Sequence, residues 1–522
     1  MTPTAKLAYG GSFLCEPTGK IFTPEDFTEE HRAIARATEE FFRNEVEPNL
    51  DAILYQDFAV LRRVLRKSAD VGLLATMVPE QYGGMEMDLA SAMIVTEYIA
   101  RDASYASCHG AQAGIGALPV LIFGTEAQKQ RYLPKLVTAE LLAAYCLTEA
   151  HAGSDALNVR TRAELSSDGS HYVLNGQKMW ITNGGLADLF TVFAKVDSEK
   201  FTAFLVERGW EGVSAGAEEK KMGLKGASTT AIYLDNVRVP VENVLGEVGR
   251  GHVIAFNILN LGRLKLAMFA HGEAKEALAH SLRYARERQA FGKSISEFGI
   301  IQHKLAEMAT RMFVNESMAY RITGCVQALQ PERALLSAVE EFAVECSLAK
   351  IFGSEVLGFV TDEAVQIHGG YGYHQDYAVE RLYRDARIYR IFEGTNEINR
   401  VLATTMLLKR ARTGRIQLPQ DSLLDLVDES QQEVVAAATD VLMYTYALES
   451  AELRAGQSGS AHMRDMVEVF HEFATTQIES AWRLIIAAAG QKLPAFARPA
   501  VNLVPVRRRI AARLLDAGKY TV

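Results

Sequence analysis

The residue best placed to do chemistry is Glu393, within Arg384-Asp385-Ala386-Arg387-Ile388-Tyr389-Arg390-Ile391-Phe392-Glu393-Gly394-Thr395-Asn396-Glu397. A carboxylate covered by the apolar pair Ile391-Phe392 would be desolvated and made more basic. Gly394 behind it would let main chain come close to a ligand. That combination suits a base that removes a proton.

Four other stretches could hold a ligand for such a base. Tyr145-Cys146-Leu147-Thr148-Glu149-Ala150-His151-Ala152-Gly153-Ser154-Asp155 gathers hydroxyls, small residues and main-chain donors, which suits a planar polar heterocycle or a phosphate. A plain loop explains it equally well. Trp180-Ile181-Thr182-Asn183-Gly184-Gly185 adds an aromatic face, a hydroxyl and a tight turn, and a buried core Trp would carry the same pattern. In Arg286-Glu287-Arg288-Gln289-Ala290-Phe291-Gly292-Lys293 a guanidinium could bind a pyrophosphate while the ring stacks on a purine. The amides of Gln366-Ile367-His368-Gly369-Gly370-Tyr371-Gly372-Tyr373 could cradle phosphate, although as a lone glycine loop this is no stronger than GxGxxG. His368 reads as structural. The sequence has no metal-ligand spacing, no Walker loop and no GxSxG elbow.

The elements that must position these residues fall into blocks: 25–142 helical, 143–250 a β domain, 251–410 a helical bundle, and 421–522 an extra helical domain after a linker at 411–420. The fold class is therefore mainly α with a middle, β-barrel-like domain. Residues 1–24 read as an irregular arm. From Phe27, the spacing of Ile34, Thr38, Phe41 and Phe42 predicts a helix closed by Pro48. Helices follow at 56–72, 88–101, 106–123 and 126–137. The third carries Gly110, Gly114 and Gly116, each costing ~1 kcal/mol relative to Ala in a helix. Close helix packing explains them, and so does a helix trimmed to let a long ligand pass.

In the β block, Asn175-Gly176 between Tyr172-Val173-Leu174 and Met179-Trp180-Ile181 predicts a hairpin. Further strands are expected at 189–196, 201–206 and 231–239, the last ended by Pro240. The bundle is predicted as helices at 251–288, 298–329, 334–370 and 377–410, with Leu305, Met308, Met312 and Met318 as core filler. Beyond the linker, helices at 433–454 and 463–489 flank a flexible loop at Gly456–Ser460. Arg507 to Leu515 reads as a short basic amphipathic helix, which leaves peripheral membrane contact open.

At 522 residues the chain is too long for one core. A net charge of −9 disfavours a nucleic-acid partner. Five scattered cysteines without CxxC argue against a disulfide framework or a zinc site and fit a reducing compartment. The N-terminus has neither a signal nor a transit pattern, and no apolar run reaches about 18 residues, so a cytoplasmic protein without a spanning helix is expected.

The order of TEx3GSD, WITNG, RxxFG, QIxGGxG and RIFEGTNE resembles the acyl-CoA dehydrogenase family of flavoenzymes, over about residues 25 to 410. The extra helical domain is similar to that of the very-long-chain members, as are Ile181 to Asp188, Glu219 to Gly223 and Asn243 to Glu247. The resemblance implies FAD held by Tyr145, Leu147, Thr148, Gly153, Ser154, Trp180 and Thr182, with Gly394, Thr395 and Asn396 beside the base. It implies that Arg288, Phe291, Gln366, Gly369 and Gly370 reach the FAD of a neighbouring subunit, hence a homodimer. Ser154, Asn260, Arg263 and Gly394 would contact acyl-CoA.

The implied reaction is α,β-dehydrogenation of a long- or very-long-chain acyl-CoA in fatty acid β-oxidation, with Glu393 as the α-proton base. Electrons would pass to an electron-transferring flavoprotein. Where the family often has Pro-Gly after Thr-Glu, this chain has Ala150-His151, which would change the stiffness of that loop. An oxidase of the same fold and a catalytically retired flavin-binding member stand as rivals. The extra domain would either cover tetramer-forming surfaces, contact a membrane, or simply pack.

Overall fold

The computed structural model describes residues 8–16, 18–419, 422–491 and 501–522. The start of the expected arm, with Pro17, and the linker's Gln420 lie outside them. Of the described residues, 62% are helical, with a mixed sheet in the middle domain. The chain divides into two units, Glu29–Gly262 and Met1–Thr28 with Arg263–Val522.

In the first unit, the helix Glu29–Phe41 buries Ile34, Ala35, Thr38 and Phe41. Pro48 does not close it. The chain runs on through a π turn, Phe42–Val46, and a 3-10 turn, Glu47–Asn49, and becomes α-helical again at Leu50–Leu54. Pro48 sits at the start of the 3-10 turn, where its missing N–H costs nothing. The helices Phe58–Asp70, Leu89–Ile99 and Glu126–Val137 lie where expected, and Asp57, Asp88 and Thr125 cap them. The glycine-bearing segment is helical from Ala103 to Phe123, with a π turn at Ala111–Gly116. Packing accounts for Gly116: a Cβ there would lie 2.8 Å from the Ala143 Cβ and 2.7 Å from the Ala111 carbonyl.

The sheet has eight strands: β1 Ala143–Cys146, β2 Arg162–Leu165, β3 His171–Thr182, β4 Leu189–Val196, β5 Lys200–Glu207, β6 Val213–Ala215, β7 Thr229–Pro240 and β8 Val244–Leu245. Their order is β6-β7-β3-β2-β4-β5-β8, and β1 pairs parallel with β4. The core is apolar, including Phe190, Val192, Phe204, Ile232 and Val237. Asn175-Gly176 makes no hairpin. Both residues lie inside β3, which pairs continuously with β7 apart from two irregularities. Gly176 is there because a Cβ would lie 2.4 Å from the Thr161 hydroxyl. Asn175 accepts the Asn236 N–H at 2.9 Å, where β7 carries one extra residue, Asn236, at φ 53°. A neighbouring strand, rather than a turn, decides that dipeptide.

In the second unit, the helix Gly299–Leu329 is central, and Leu305, Met308, Met312 and Met318 are fully buried in it. Two predicted long helices are broken. The 334–370 stretch is Leu335–Glu341 and Ala343–His368, divided at Phe342. The 377–410 stretch is Ala378–Ala386, a 3-10 turn Arg387–Arg390, and Asn396–Arg412. The break between the last two holds Glu393. The helix Gln432–Ser458 also outruns its prediction, leaving only Gly459 and Ser460 before Ala461–Ala488. Gly459, at φ 69°, supplies the left-handed stop.

The C-terminal helix is Val504–Ala517, and its Val506, Ile510, Ala511 and Leu514 are buried. Arg507 pairs with Glu307 at 2.8 Å, and Arg509 with Asp465 at 2.6 Å. The face that would have met a bilayer is thus packed on protein. The arm is docked as well. Gly11 N–H donates to Glu345 at 2.7 Å, the Thr18 hydroxyl to Glu449 at 2.6 Å, and fully buried Arg454 donates to Glu25 at 2.7 Å and Glu316 at 2.7 Å. Two helical stretches, Ala103–Phe123 and Gly251–Glu287, are long and apolar enough to cross a membrane by composition. Their apolar windows are 61% and 67% buried inside the protein, as core helices are.

Candidate active site

Glu393 lies in the break between two helices, in the left-handed region at φ 57°, followed by Gly394 at φ 83°. A non-glycine residue held there stores ~1–3 kcal/mol, so the surroundings must fix it. Thr395 then starts the next helix, its hydroxyl accepting the Ile398 N–H at 3.2 Å. Ahead of the break, the Phe392 ring packs edge-on to buried Tyr389 at 5.3 Å.

The Glu393 Oε2 is buried and has no hydrogen-bond partner among the described residues. Burial raises its pKa from the ordinary 4.5 to about 7, against the opposing charges of Arg263 and Lys350. The Arg263 Nε donates to the Glu393 carbonyl at 3.3 Å. The Lys350 Nζ donates to the Gly394 carbonyl at 2.7 Å and to the Asn396 side-chain oxygen at 2.7 Å. The Asn399 amide adds a second donor to the Gly394 carbonyl at 2.8 Å. The main chain on both sides of the base is held, and the acid end is left for chemistry.

The other predicted contacts of this unit fall into two groups. Gly394 and Thr395 flank the base. The Asn396 side chain turns inward, donating to Ser354 at 3.0 Å and Glu355 at 3.1 Å, so only its backbone is left for a ligand. Arg263, expected to touch acyl-CoA, is buried, with its Nε on the Glu393 carbonyl. Arg288, Phe291, Gln366, Gly369 and Gly370 are exposed and take no part in these bonds. Arg288, Gly369 and Gly370 line a cavity of about 520 Å³ with Tyr284, His368 and Tyr371. A Cβ on Gly369 or Gly370 would meet nothing within 4 Å, and Gly369 has φ 60°. Phe291 is 96% exposed at φ 52°. His368 is structural, as expected: its ring stacks on Tyr284 at 4.2 Å, its Nδ1 bonds the Ala364 carbonyl at 2.7 Å, and burial lowers its pKa.

The first unit carries the remaining predicted residues. Tyr145 ends up buried in β1, with its ring 5.0 Å from Phe193. Leu147 is buried, Thr148 half-buried, and Gly153 and Ser154 exposed. The loop is anchored by Glu149, which accepts from fully buried Lys178 at 2.7 Å, from the Thr161 hydroxyl at 2.5 Å and from the Arg160 N–H at 2.6 Å. Burial would raise the Glu149 pKa, but Lys178 and these donors hold it below the ordinary value. His151, in place of the usual glycine, lies 3.5 Å from Glu149, and the Glu149 and Ala152 main chains bond each other both ways. The loop stays tied despite the substitution. Trp180 sits at the second irregularity of β3, at φ 56° and 58% exposed, so it is no core Trp, and Thr182 is half-buried next to it. The extra residue aims its ring outward from the sheet. Asn260 is buried in the helix Gly251–Glu287.

The sequence reading missed Lys350, Asn399 and Lys178. A signal was present for two of them: a single Lys inside the apolar run Leu348-Ala349-Lys350-Ile351-Phe352, and one in a buried strand, are rarely there without a charged or carbonyl partner.

Residues 28–140, 144–237 and 249–407 match the N-terminal, middle and C-terminal domains of acyl-CoA dehydrogenases, and residues 425–492 match a further acyl-CoA dehydrogenase C-terminal domain. A probable acyl-CoA dehydrogenase of Bacillus subtilis is 41% identical, over 99% of this chain and 99% of its own. The mitochondrial very long-chain specific acyl-CoA dehydrogenase of Bos taurus is 45% identical over 64% of this chain, and the match takes in 51% of that protein. An acyl-CoA dehydrogenase of Bacillus anthracis, solved in complex with FAD, superimposes with a TM-score of 0.95 at 40% identity, over 98% of this chain and 100% of that one.

Proposed function

The chain belongs to the acyl-CoA dehydrogenase family, and from that premise we propose that it is an FAD-dependent dehydrogenase of long- or very-long-chain acyl-CoA. The product is the trans-2-enoyl-CoA, as in fatty acid β-oxidation. The observation that carries the reading is the buried, unpartnered Oε2 of Glu393, on a main chain held from both sides.

Glu393 takes the α-proton of the thioester. Its pKa near 7 leaves it ionised in useful fraction at neutral pH and still basic enough to accept that proton. The Glu393 N–H, which donates to no described residue, is available to the thioester carbonyl, where enolate charge develops. Phe392 and the acyl chain exclude water. FAD, when bound, supplies the acceptor for the β-hydride. From the family resemblance, Thr148, Gly153, Ser154, Trp180 and Thr182, with Tyr145 and Leu147, would contact it, as would Gly394, Thr395 and the Asn396 backbone. The residues fit the group: Trp180 presents an exposed face, and open space surrounds Gly153, Gly369 and Gly370.

Arg288, Phe291, Gln366, Gly369 and Gly370 would serve the FAD of a second copy, which is the ground for proposing a homodimer. An electron-transferring flavoprotein is the proposed electron acceptor. The long-chain preference is supported by the similarity to the very long-chain enzymes and by Gly110 and Gly114, which narrow the helix Ala103–Phe123.

Comparing Glu393→Gln with the parent tests the reading. The variant is expected to keep FAD and lose flavin bleaching by palmitoyl-CoA. Bleaching at the parent rate would place the base elsewhere.

A further inference from the structure

Resting on that reading of Glu393, we propose that Lys350 is a positioning residue for the base: its ammonium pins the Gly394 carbonyl and sets the charge around the carboxylate. Lys350 projects from the third turn of the helix Ala343–His368 and is fully buried. Its two acceptors, the Gly394 carbonyl and the Asn396 side chain, are both neutral, each at 2.7 Å. Asn396 is itself fixed by Ser354 and Glu355, so the lysine stands in a closed framework rather than in a solvated pocket.

A lysine buried on neutral partners is costly. A fold that needed only a capped carbonyl would obtain it from Asn399, which already donates to the Gly394 oxygen at 2.8 Å. What Lys350 adds is a positive charge adjoining the base and a rigid link from the bundle helix to the strained pair Glu393-Gly394. The charged groups acting on it come from several elements: Glu393 and Glu397 from the break and the helix after it, Arg263 from the helix Gly251–Glu287, and Glu355 from its own helix. Arg400 binds Glu355 at 2.9 Å, which mutes that carboxylate and leaves Glu393 foremost. Burial lowers the Lys350 pKa to about 7, while the nearby Glu393 carboxylate acts to raise it.

The test uses the FAD-loaded protein and 3-thiahexadecanoyl-CoA, whose position 3 has no hydrogen to lose. Proton removal is then read alone, as deuterium entering the α-carbon in D2O, by mass spectrometry across pH. Lys350→Met, with normal flavin content and melting, is expected to exchange at least about tenfold more slowly at neutral pH. The midpoint of its pH profile is expected to rise by about one pH unit, because a cation near the base is gone. Parent-like rate and midpoint in this variant would overturn the proposal. If Lys350→Met does not fold, Lys350→Gln retains an amide donor without charge. A raised midpoint there supports the role, and an unchanged one overturns it. Glu393→Gln in the same assay separates the two readings: if it still exchanges, the assignment of the base has failed, whatever Lys350 does.

Discussion

Arg263 reaches Glu393 through its main chain: the guanidinium Nε donates to the Glu393 carbonyl at 3.3 Å, while the Glu393 Oε2 keeps no hydrogen-bond partner among the described residues. A direct ion pair would hold the carboxylate ionised but bind it. Contact through the carbonyl lets the cation restrain the strained residue and moderate its acidity while the carboxylate remains reactive.

Arg263→Gln should therefore raise the pH at which Glu393 becomes a base. Losing a nearby positive charge moves the carboxylate above its present value of about 7, so less of it is ionised at neutral pH. The pH profile of flavin reduction is expected to move up by about one unit, with a fall of about fivefold at pH 7. Stopped-flow reduction by palmitoyl-CoA measures both, and an unmoved midpoint would count against the arrangement.

Glu393 also links stability to pH. Its folded pKa is raised from 4.5 to about 7, so ionisation is disfavoured in the folded state. The penalty is absent below the unfolded value, grows between the two and is complete above about 7, at up to about 3 kcal/mol. Glu393→Gln should raise the melting temperature of the substrate-free protein more at pH 8 than at pH 5. Equal changes at the two pH values would show that the carboxylate is better solvated than its geometry indicates.

Trp180 is a ligand-facing residue in the proposed function, and its exposure allows a clean separation of binding from folding. Trp180→Ala removes a ring that is 58% exposed and relieves little packing. Reconstitution of the apoprotein should show FAD affinity lower by about three- to tenfold, the value of one aromatic contact, with a nearly unchanged apoprotein melt. A large drop in that melt would instead make Trp180 a structural residue.

Arg454 ties the N-terminal arm to the extra domain. It donates to Glu25 and Glu316 from a fully buried position. Arg454→Met would take the guanidinium from Glu25 and from the buried Glu316, which keeps His271 at 3.1 Å and Lys275 at 3.6 Å, and is expected to cost about 2 kcal/mol. Denaturant unfolding should report that loss, and limited proteolysis should report faster cutting near Lys20.

The helix Val504–Ala517 has its apolar face buried and Arg507 and Arg509 paired. Flotation with anionic vesicles is expected to leave the intact chain with the unbound protein. Ile510→Asp is expected to lower the melting temperature, since a charge would enter the packed face. Flotation of the folded parent would show that the face can be released.

The sequence by itself determined the block order, most helices and strands, and the residues around which chemistry gathers. Those features are local: hydrophobic periodicity, caps at Asp57, Asp88 and Thr125, and glycine-marked stops. It also named Glu393, because a carboxylate between an apolar pair and a glycine is visible without a fold. Only the tertiary structure decided what distant neighbours impose. Asn175-Gly176 became part of a strand because Thr161 lies against Gly176. Trp180 faced outward because β3 carries an extra residue there. The predicted 377–410 helix broke at Glu393 because Lys350 and Arg263, 43 and 130 positions away in the chain, hold the carbonyls of its left-handed pair. Bonds over such separations leave no periodic trace in a sequence. The buried lysine that completes the site could be seen there only as a charge in an apolar run.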